Sequence, residues 1–384
     1  MADRELLDSE KLVLYGLVRW AGTTDQFLAE KLGMKVPTVT SIRMKLRKRN
    51  LYTTHIVPHV QLFGSELLTI SYVKFSSHPS LDEKLRQGRR VMNREEFFYS
   101  ISEANQDFFM QFSRNYTESL RNIEDIEEAY KAISHLEEGI VSLHLPFALS
   151  EIPTFFDYAP LLAKTFALEK RFPADGNVPV QSTGPPMTSV LDGGGGCSEP
   201  MPHPPEVPAS LSSKEKVVLY GLTKFPEMND VEVSERISAS RMTIGKTRKN
   251  LRSQGYMRVI NVPNLEAIGF ELVIVTHGCF NPALTEGLKF FIPGVMQRVG
   301  PSFFTAYGRH EILMMHAFPS FQEFKASTNE LTQHYKEHEI FSSPPRRILF
   351  SLANMRAVKE HIYSPYLLKT FDLRKPDQDK ETIE

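Results

Sequence analysis

The chain has 384 residues, of which 41% are hydrophobic and 24% charged, and its formal net charge is −1 at pH 7. That length corresponds to two to four domains at about 100–200 residues each, and the balance excludes global disorder or a fibre. No apolar run approaches the roughly 18 residues of a membrane span, and a near-zero net charge argues against indiscriminate coating of nucleic acid. The charged start, MADRELLDSEK, has no signal-peptide core, and two cysteines, Cys197 and Cys279, give no disulfide framework. A cytoplasmic protein without membrane contact is expected.

An internal repeat organises the sequence. EKLVLYGL at 10–17 returns as EKVVLYGL at 215–222, and the same offset of 205 aligns Val57 and Pro58 with Val262 and Pro263, and Gly64 with Gly269. YAPLLAKTF at 158–166 matches YSPYLLKTF at 363–371, and 19 of the 68 positions from 8 to 75 are identical to their partners. Unrelated segments would share about four or five.

In chain order, residues 10–20 predict a helix through the spacing of Leu14, Leu17 and Val18. A second helix is expected over 25–32 with Asp25 as its cap, and Gly33 ends it. The third begins near Val36 and Pro37, buries Val39, Ile42 and Leu46, and turns Thr40, Arg43, Met44 and Arg47 outward. In the second copy Ile244, Thr247 and Leu251 face in, while Gly245, Arg248, Lys249 and Arg252 face out. A helix-turn-helix with a wing strand at 52–57 and 257–262 is the economical reading in each copy.

Arg43 and Arg47 recur as Arg248 and Arg252, and exposed arginines kept in both copies have no core to explain them. Residues 31–65 hold seven Lys or Arg and no acid, as do residues 236–265. Such a basic face is the footprint of a polyanion site. Thr38, Thr40, Ser41, Arg43, Lys45, Arg47 and Lys48, with Thr243, Lys246, Arg248, Lys249 and Arg252, are therefore expected to contact double-stranded DNA. A good arginine–guanine pair would supply about 1–3 kcal/mol of discrimination.

The second part of each copy changes period. Strands are expected at 67–75 and 272–275, a helical stretch at 81–92 and 283–292, and strands at 97–101, 108–112, 302–307 and 311–318. Helices at 118–134 and 320–336 and last strands at 140–145 and 346–352 complete a β-α-β-β-α-β order, the ferredoxin-like plan. FFYSI and LVIV are apolar on both faces, which requires a second cover, most simply another sheet. Residues 173–208, with nine prolines and six glycines, read as a flexible linker. Gly193 to Gly196 lack the Lys-Ser/Thr of a phosphate loop.

A recognition segment LAEKLGMKVPTVTSIRMKL at 28–46 and EVSERISASRMTIGKTRKNL at 232–251, a VPxxxxxG connection and the sheet order together resemble the leucine-responsive and asparagine-regulator family of transcription factors. The resemblance implies an α+β chain built as two copies of a winged helix-turn-helix followed by a ferredoxin-like domain. The expected divisions are 1–65 and 66–170 for the first copy, 171–210 for the linker, 211–270 and 271–375 for the second copy, and 376–384 for a tail. It further implies a sequence-specific, non-enzymatic regulator whose sheet domains pair within the chain as a pseudo-dimer, with homodimers as a further option. A small effector would sit near Tyr307, Gly308, Arg309 and His310. The first copy departs from the family's hairpin pattern at Glu103 to Gln106.

Two other readings stand beside it. Siroheme decarboxylases resemble the same family, and Tyr307, Arg309, His310 and His316 could supply the cationic, His and Tyr groups that such an enzyme needs. The signature expected at 294–304 is missing. A winged-helix protein-interaction adaptor is the other. His334 and His338 have metal-ligand spacing but no visible third ligand, so neither a metal nor a cofactor is expected.

Overall fold

The computed structural model describes residues 5–76, 93–132, 136–172, 200–237, 239–284, 302–337 and 339–373, together with residues 82 and 86. The helical stretches expected at 81–92 and 283–292, and most of the linker, lie outside these, apart from a 3-10 turn at Pro282–Leu284.

The first copy opens with α1 (Asp8–Arg19), α2 (Asp25–Leu32) and α3 (Val36–Lys48). Val13, Leu14, Leu17, Leu28, Leu32, Val39 and Leu46 are buried at their common centre. Thr24, one residue before the expected Asp25, caps α2 by accepting the Phe27 N–H, which leaves the Asp25 carboxylate for other partners. Gly33 ends the helix at φ 64°, where a side chain would be strained. β1 (Tyr52–Pro58), β2 (Leu67–Lys74), β3 (Phe97–Glu103), β4 (Gln106–Ser113), α4 (Tyr116–Lys131) and β5 (Val141–Pro146) follow. Two elements had no sequence signal: β6 (Glu151–Phe155) and α5 (Ala159–Thr165).

The second copy repeats the order with α6 (Ser213–Lys224), α7 (Asp230–Arg236), α8 (Arg241–Ser253), β7 (Met257–Pro263), β8 (Leu272–Cys279), β9 (Ser302–Tyr307), β10 (Glu311–Phe318), α9 (Phe321–Glu337), β11 (Arg346–Ser351), β12 (Arg356–Lys359) and α10 (Ser364–Thr370). The fold is thus α+β, with winged helix-turn-helix units and ferredoxin-like sheets.

The two copies are joined by three antiparallel pairings. β1 pairs with β7, so each wing strand is the other's partner, with His55 opposite Ile260 at the centre of the register. His55 and Ile260 are themselves equivalent under the 205-residue offset, so a pseudo-twofold axis passes between them. β12 joins the edge of the first copy's sheet, giving β12-β3-β4-β2-β5, and β6 joins the second, giving β11-β8-β10-β9-β6. Each copy therefore lends its last short strand to the other's sheet, which covers two edges that would otherwise be open.

The sheets pack face to face. Ile70, Phe98, Ile101, Met110, Phe112 and Leu145 from one, and Val273, Val275, Phe304, Leu313, Met315 and Phe350 from the other, lie in one buried cluster. Phe98 stacks on Phe112 at 4.3 Å and on Tyr363 of the other copy at 5.1 Å. Each such side chain contributes about 1.5–3 kcal/mol by leaving water. The opposite face of the first sheet is closed by α4 through Ile123, Ile126 and Tyr130 against Val73, Phe97 and Phe109. Residues 200–210, read as linker, are anchored instead: Met201 is buried and its N–H reaches Ile152 O at 3.1 Å, and the Ala209 N–H reaches Leu62 O.

Candidate active site between the two sheets

Arg43 lies 2.9 Å from the Asp25 carboxylate and donates to Thr23 O, and Thr40 donates to the other Asp25 oxygen at 2.6 Å. In the second copy Arg248 makes two bonds to Asp230 Oδ1, at 2.7 and 3.0 Å. Asp25 and Asp230 are equivalent positions, so one strut between the second and third helices occurs twice. Arg47 crosses to Glu227, accepted by its carboxylate at 3.0 Å and by its backbone oxygen, while Arg252 crosses to Gly22 O at 2.8 Å. Gly22 and Glu227 are again equivalent.

The premise that nothing in the core explains these arginines is therefore corrected: all four hold helices to each other or one copy to the other. Lys45 is likewise engaged by the buried Glu10, and Thr243 by Ser240, the cap of α8. Thr38, Ser41, Lys48, Lys246 and Lys249 stay at the surface, with Thr38 bonded through its backbone to Lys35.

The expected effector residues lie around the β9–β10 hairpin. Tyr307 ends β9, paired with Glu151 of the exchanged β6, and burial followed by the Glu151 charge pushes its phenol up to about 12. Arg309 and His310 are exposed. Gly308 packs towards Leu145 and Ser150 of the first copy. His316 sits on the opposite, helix-covered face of the second sheet with Tyr335 and Arg347. The side chains of His334 and His338 lie outside the described residues.

What the fold does bring together lies where the sheets meet on the pseudo-twofold axis. β8 is the second strand of its sheet, with β10 on one side and β11 on the other. The ladder puts Glu311 directly opposite Cys279, and Arg346 directly opposite His277. Because strand side chains alternate, His277 and Cys279 share the face turned to the first copy. Tyr72, on β2 of that copy, meets His277 with its hydroxyl 3.0 Å from Nδ1. Next to this pair is a cleft of about 370 Å³ lined by Tyr72, Lys74, Glu138, Val141, Arg346 and Arg347, among others. Arg346 bridges it, 2.7 Å from Glu138.

The electrostatics follow from burial and neighbours. Burial raises the Tyr72 phenol above its usual value, against the opposing pull of Arg346, so the hydroxyl keeps its proton at neutral pH. The His277 imidazole holds the Glu311 carboxyl below the usual carboxylate range. Burial, then the Glu311 charge, raises the Cys279 thiol. A protonated phenol at one side and guanidinium and ammonium groups around it can bind a polycarboxylate and deliver a proton to it.

Sequence reasoning missed Tyr72, His277, Cys279, Glu311 and Arg346. The signal that could have found the first two is the repeat itself, since equivalent residues of a face-to-face pair meet at its axis.

No protein-family model matches the sequence, and no curated protein matches it in sequence. Among solved structures, the siroheme decarboxylase NirDL superposes with a TM-score of 0.50 at 11% identity, over 96% of this chain and 99% of that one. Escherichia coli AsnC aligns over 37% of this chain and 93% of its own, with 14% identity and a TM-score of 0.29. The fold is therefore similar, over 96% of the chain, to that of a known enzyme. The expectation that the chain is non-enzymatic is corrected accordingly, since the fold is one that an enzyme has over nearly its whole length.

Proposed function

We propose that the chain is an enzyme of the siroheme-decarboxylase type, acting on an iron tetrapyrrole that carries several carboxylates, and that the inter-sheet cleft receives a carboxylate-bearing edge of that substrate. The observation that carries this reading is the placement of a protonated phenol, Tyr72, beside Lys74 and Arg346 at the junction of the two copies. The end-to-end fold likeness supports it. Arg346 is held by Glu138 in the resting cleft, and a substrate carboxylate would exchange for that partner in a bidentate pair.

Decarboxylation breaks the bond between a side-chain methylene and its carboxylate. Carbon dioxide departs, and the electron pair left on carbon takes one proton. Tyr72 supplies that proton in this reading, with His277 Nδ1 orienting the phenol oxygen. The apolar side chains of Val141 and Ile348 limit water beside the reacting carbon. The internal partners of Arg43, Arg47, Arg248 and Arg252 weigh against the winged helix-turn-helix units being DNA readers, since binding DNA would have to break those contacts.

The test is anaerobic incubation of the full chain with siroheme, followed by absorption spectroscopy and mass spectrometry. Binding with stepwise loss of carbon dioxide is expected. Tyr72→Phe should bind substrate but lose turnover, and Arg346→Ala should raise KM. Absence of any spectral change with siroheme, together with tight, salt-sensitive binding of duplex DNA, would replace this reading with the regulatory one.

A further inference from the structure

The group His277, Cys279 and Glu311 is not explained by substrate binding. Their nearest ligand atoms all lie within 4.8 Å of one another. His277 is 8% exposed, its Nδ1 is engaged by Tyr72, and its Nε2 is buried with no hydrogen-bond partner among the described residues. That nitrogen points at Glu311, 3.6 Å from Oε2. A buried ring nitrogen left without a partner is destabilising, and an ion placed between the three groups would satisfy it.

From this geometry we infer a divalent transition-metal site of the zinc class, with His277 Nε2, Cys279 Sγ and Glu311 as ligands and one position left to solvent. Imidazole, thiolate and carboxylate form a donor set that suits zinc or cobalt rather than magnesium or calcium. A tetrahedral ion with bonds of about 2.0–2.3 Å keeps its donors about 3.3–3.8 Å apart, so the three need to close by roughly 1 Å. Glu311, at the start of its strand beside the hairpin, has the side-chain freedom to supply that movement. The Tyr72 hydroxyl on Nδ1 is the outer partner that fixes which ring nitrogen faces the metal.

The iron of a tetrapyrrole is a poor match for the same three donors. Its four in-plane positions are filled by the ring, so a protein can add one ligand on each face, whereas here three donors converge from one sheet. The site is therefore separate from the substrate iron. It stands whether or not the chain decarboxylates tetrapyrroles.

The experiment is a cobalt(II) titration of the chelator-treated full-length chain, with no tetrapyrrole present. Roughly one equivalent should bind, giving the intense visible bands of a four-coordinate ion and a thiolate-to-cobalt charge-transfer band. Cys279→Ser should lose the charge-transfer band, and Cys197→Ser should keep it. His277→Gln should abolish saturable binding, and Tyr72→Phe should weaken it by about 10- to 100-fold. Far-ultraviolet circular dichroism on each variant separates loss of ligand from loss of fold, with zinc competition on the wild-type chain as the measurement that needs no variant. Absence of saturable cobalt or zinc binding to the wild-type chain, or a charge-transfer band that follows Cys197 instead of Cys279, overturns the site.

Discussion

Tyr72 and His277 occupy the same position in the two copies of the repeat and meet across the pseudo-twofold axis, phenol oxygen to Nδ1, at 3.0 Å with the rings edge to face. In a symmetric dimer of identical chains this position would oppose two copies of one residue. Duplication within one chain removes that restriction, so one side became a donor that keeps its proton and the other an imidazole with a second nitrogen to spare. The same freedom shows at His55 and Ile260 on the axis of the wing pairing.

The exchange of β6 and β12 makes the copies interdependent. Residues 1–172 and 209–384 produced separately should each expose an unpaired edge and an apolar sheet face, and should aggregate or associate when mixed. Size-exclusion chromatography with light scattering checks this. Two soluble, independent monomers would refute the intrachain pairing.

Arg248 and Asp230 are each 30% exposed, so solvent screens their attraction and the pair contributes about 1 kcal/mol or less. Arg248→Ala and Asp230→Ala should each lower stability by about that amount, and the double variant by little more than either one. Urea denaturation of the four proteins measures the coupling, and simple additivity would show that the strut contributes nothing.

His59 is 7% exposed, and burial, reinforced by the Arg258 charge, lowers its imidazole from 6.5 to about 4. The unfolded chain takes up this proton near pH 6.5 and the folded chain only near pH 4, so the unfolded state binds more protons in between. Stability present above pH 6.5 is therefore lost as the pH falls through that window, by up to about 3 kcal/mol for this group. His55, lowered to about 4 chiefly by burial, acts in the same direction. Thermal melts from pH 7 to pH 4 should show a shallower fall for His59→Asn than for the wild-type chain; equal slopes would count against a buried neutral His59.

Gly221 on α6 lies where an added Cβ would come within 2.7 Å of Ile237 Cδ1, and its equivalent Gly16 where it would meet Leu32 Cδ1 at 3.0 Å. Gly221→Ala should cost about 1–3 kcal/mol through overpacking, despite alanine's better helix propensity. Ile237→Val, which removes the Cδ1 atom, should recover part of that loss in the double variant. A raised Tm for Gly221→Ala alone would show that the close approach is not needed.

The repeat, the three helices of each winged helix-turn-helix unit, the order of the strands and the need for a second cover on the sheets are legible in the amino-acid order alone. These depend on local periodicity and on identities at one fixed offset, which survive in a single chain. What the repeated arginines do became visible on folding, because the partner of Arg47 lies 180 residues away and that of Arg252 lies 230 away, a distance no helical or strand period spans. β6 and β12 escaped notice since strands of five and four residues carry too few positions to show alternation, and their pairing is with the other copy. The Tyr72, His277, Cys279 and Glu311 cluster forms because strand register and sheet-on-sheet packing superpose residues from three strands at one point of the axis. That coincidence is set by long-range pairing, which local sequence does not encode.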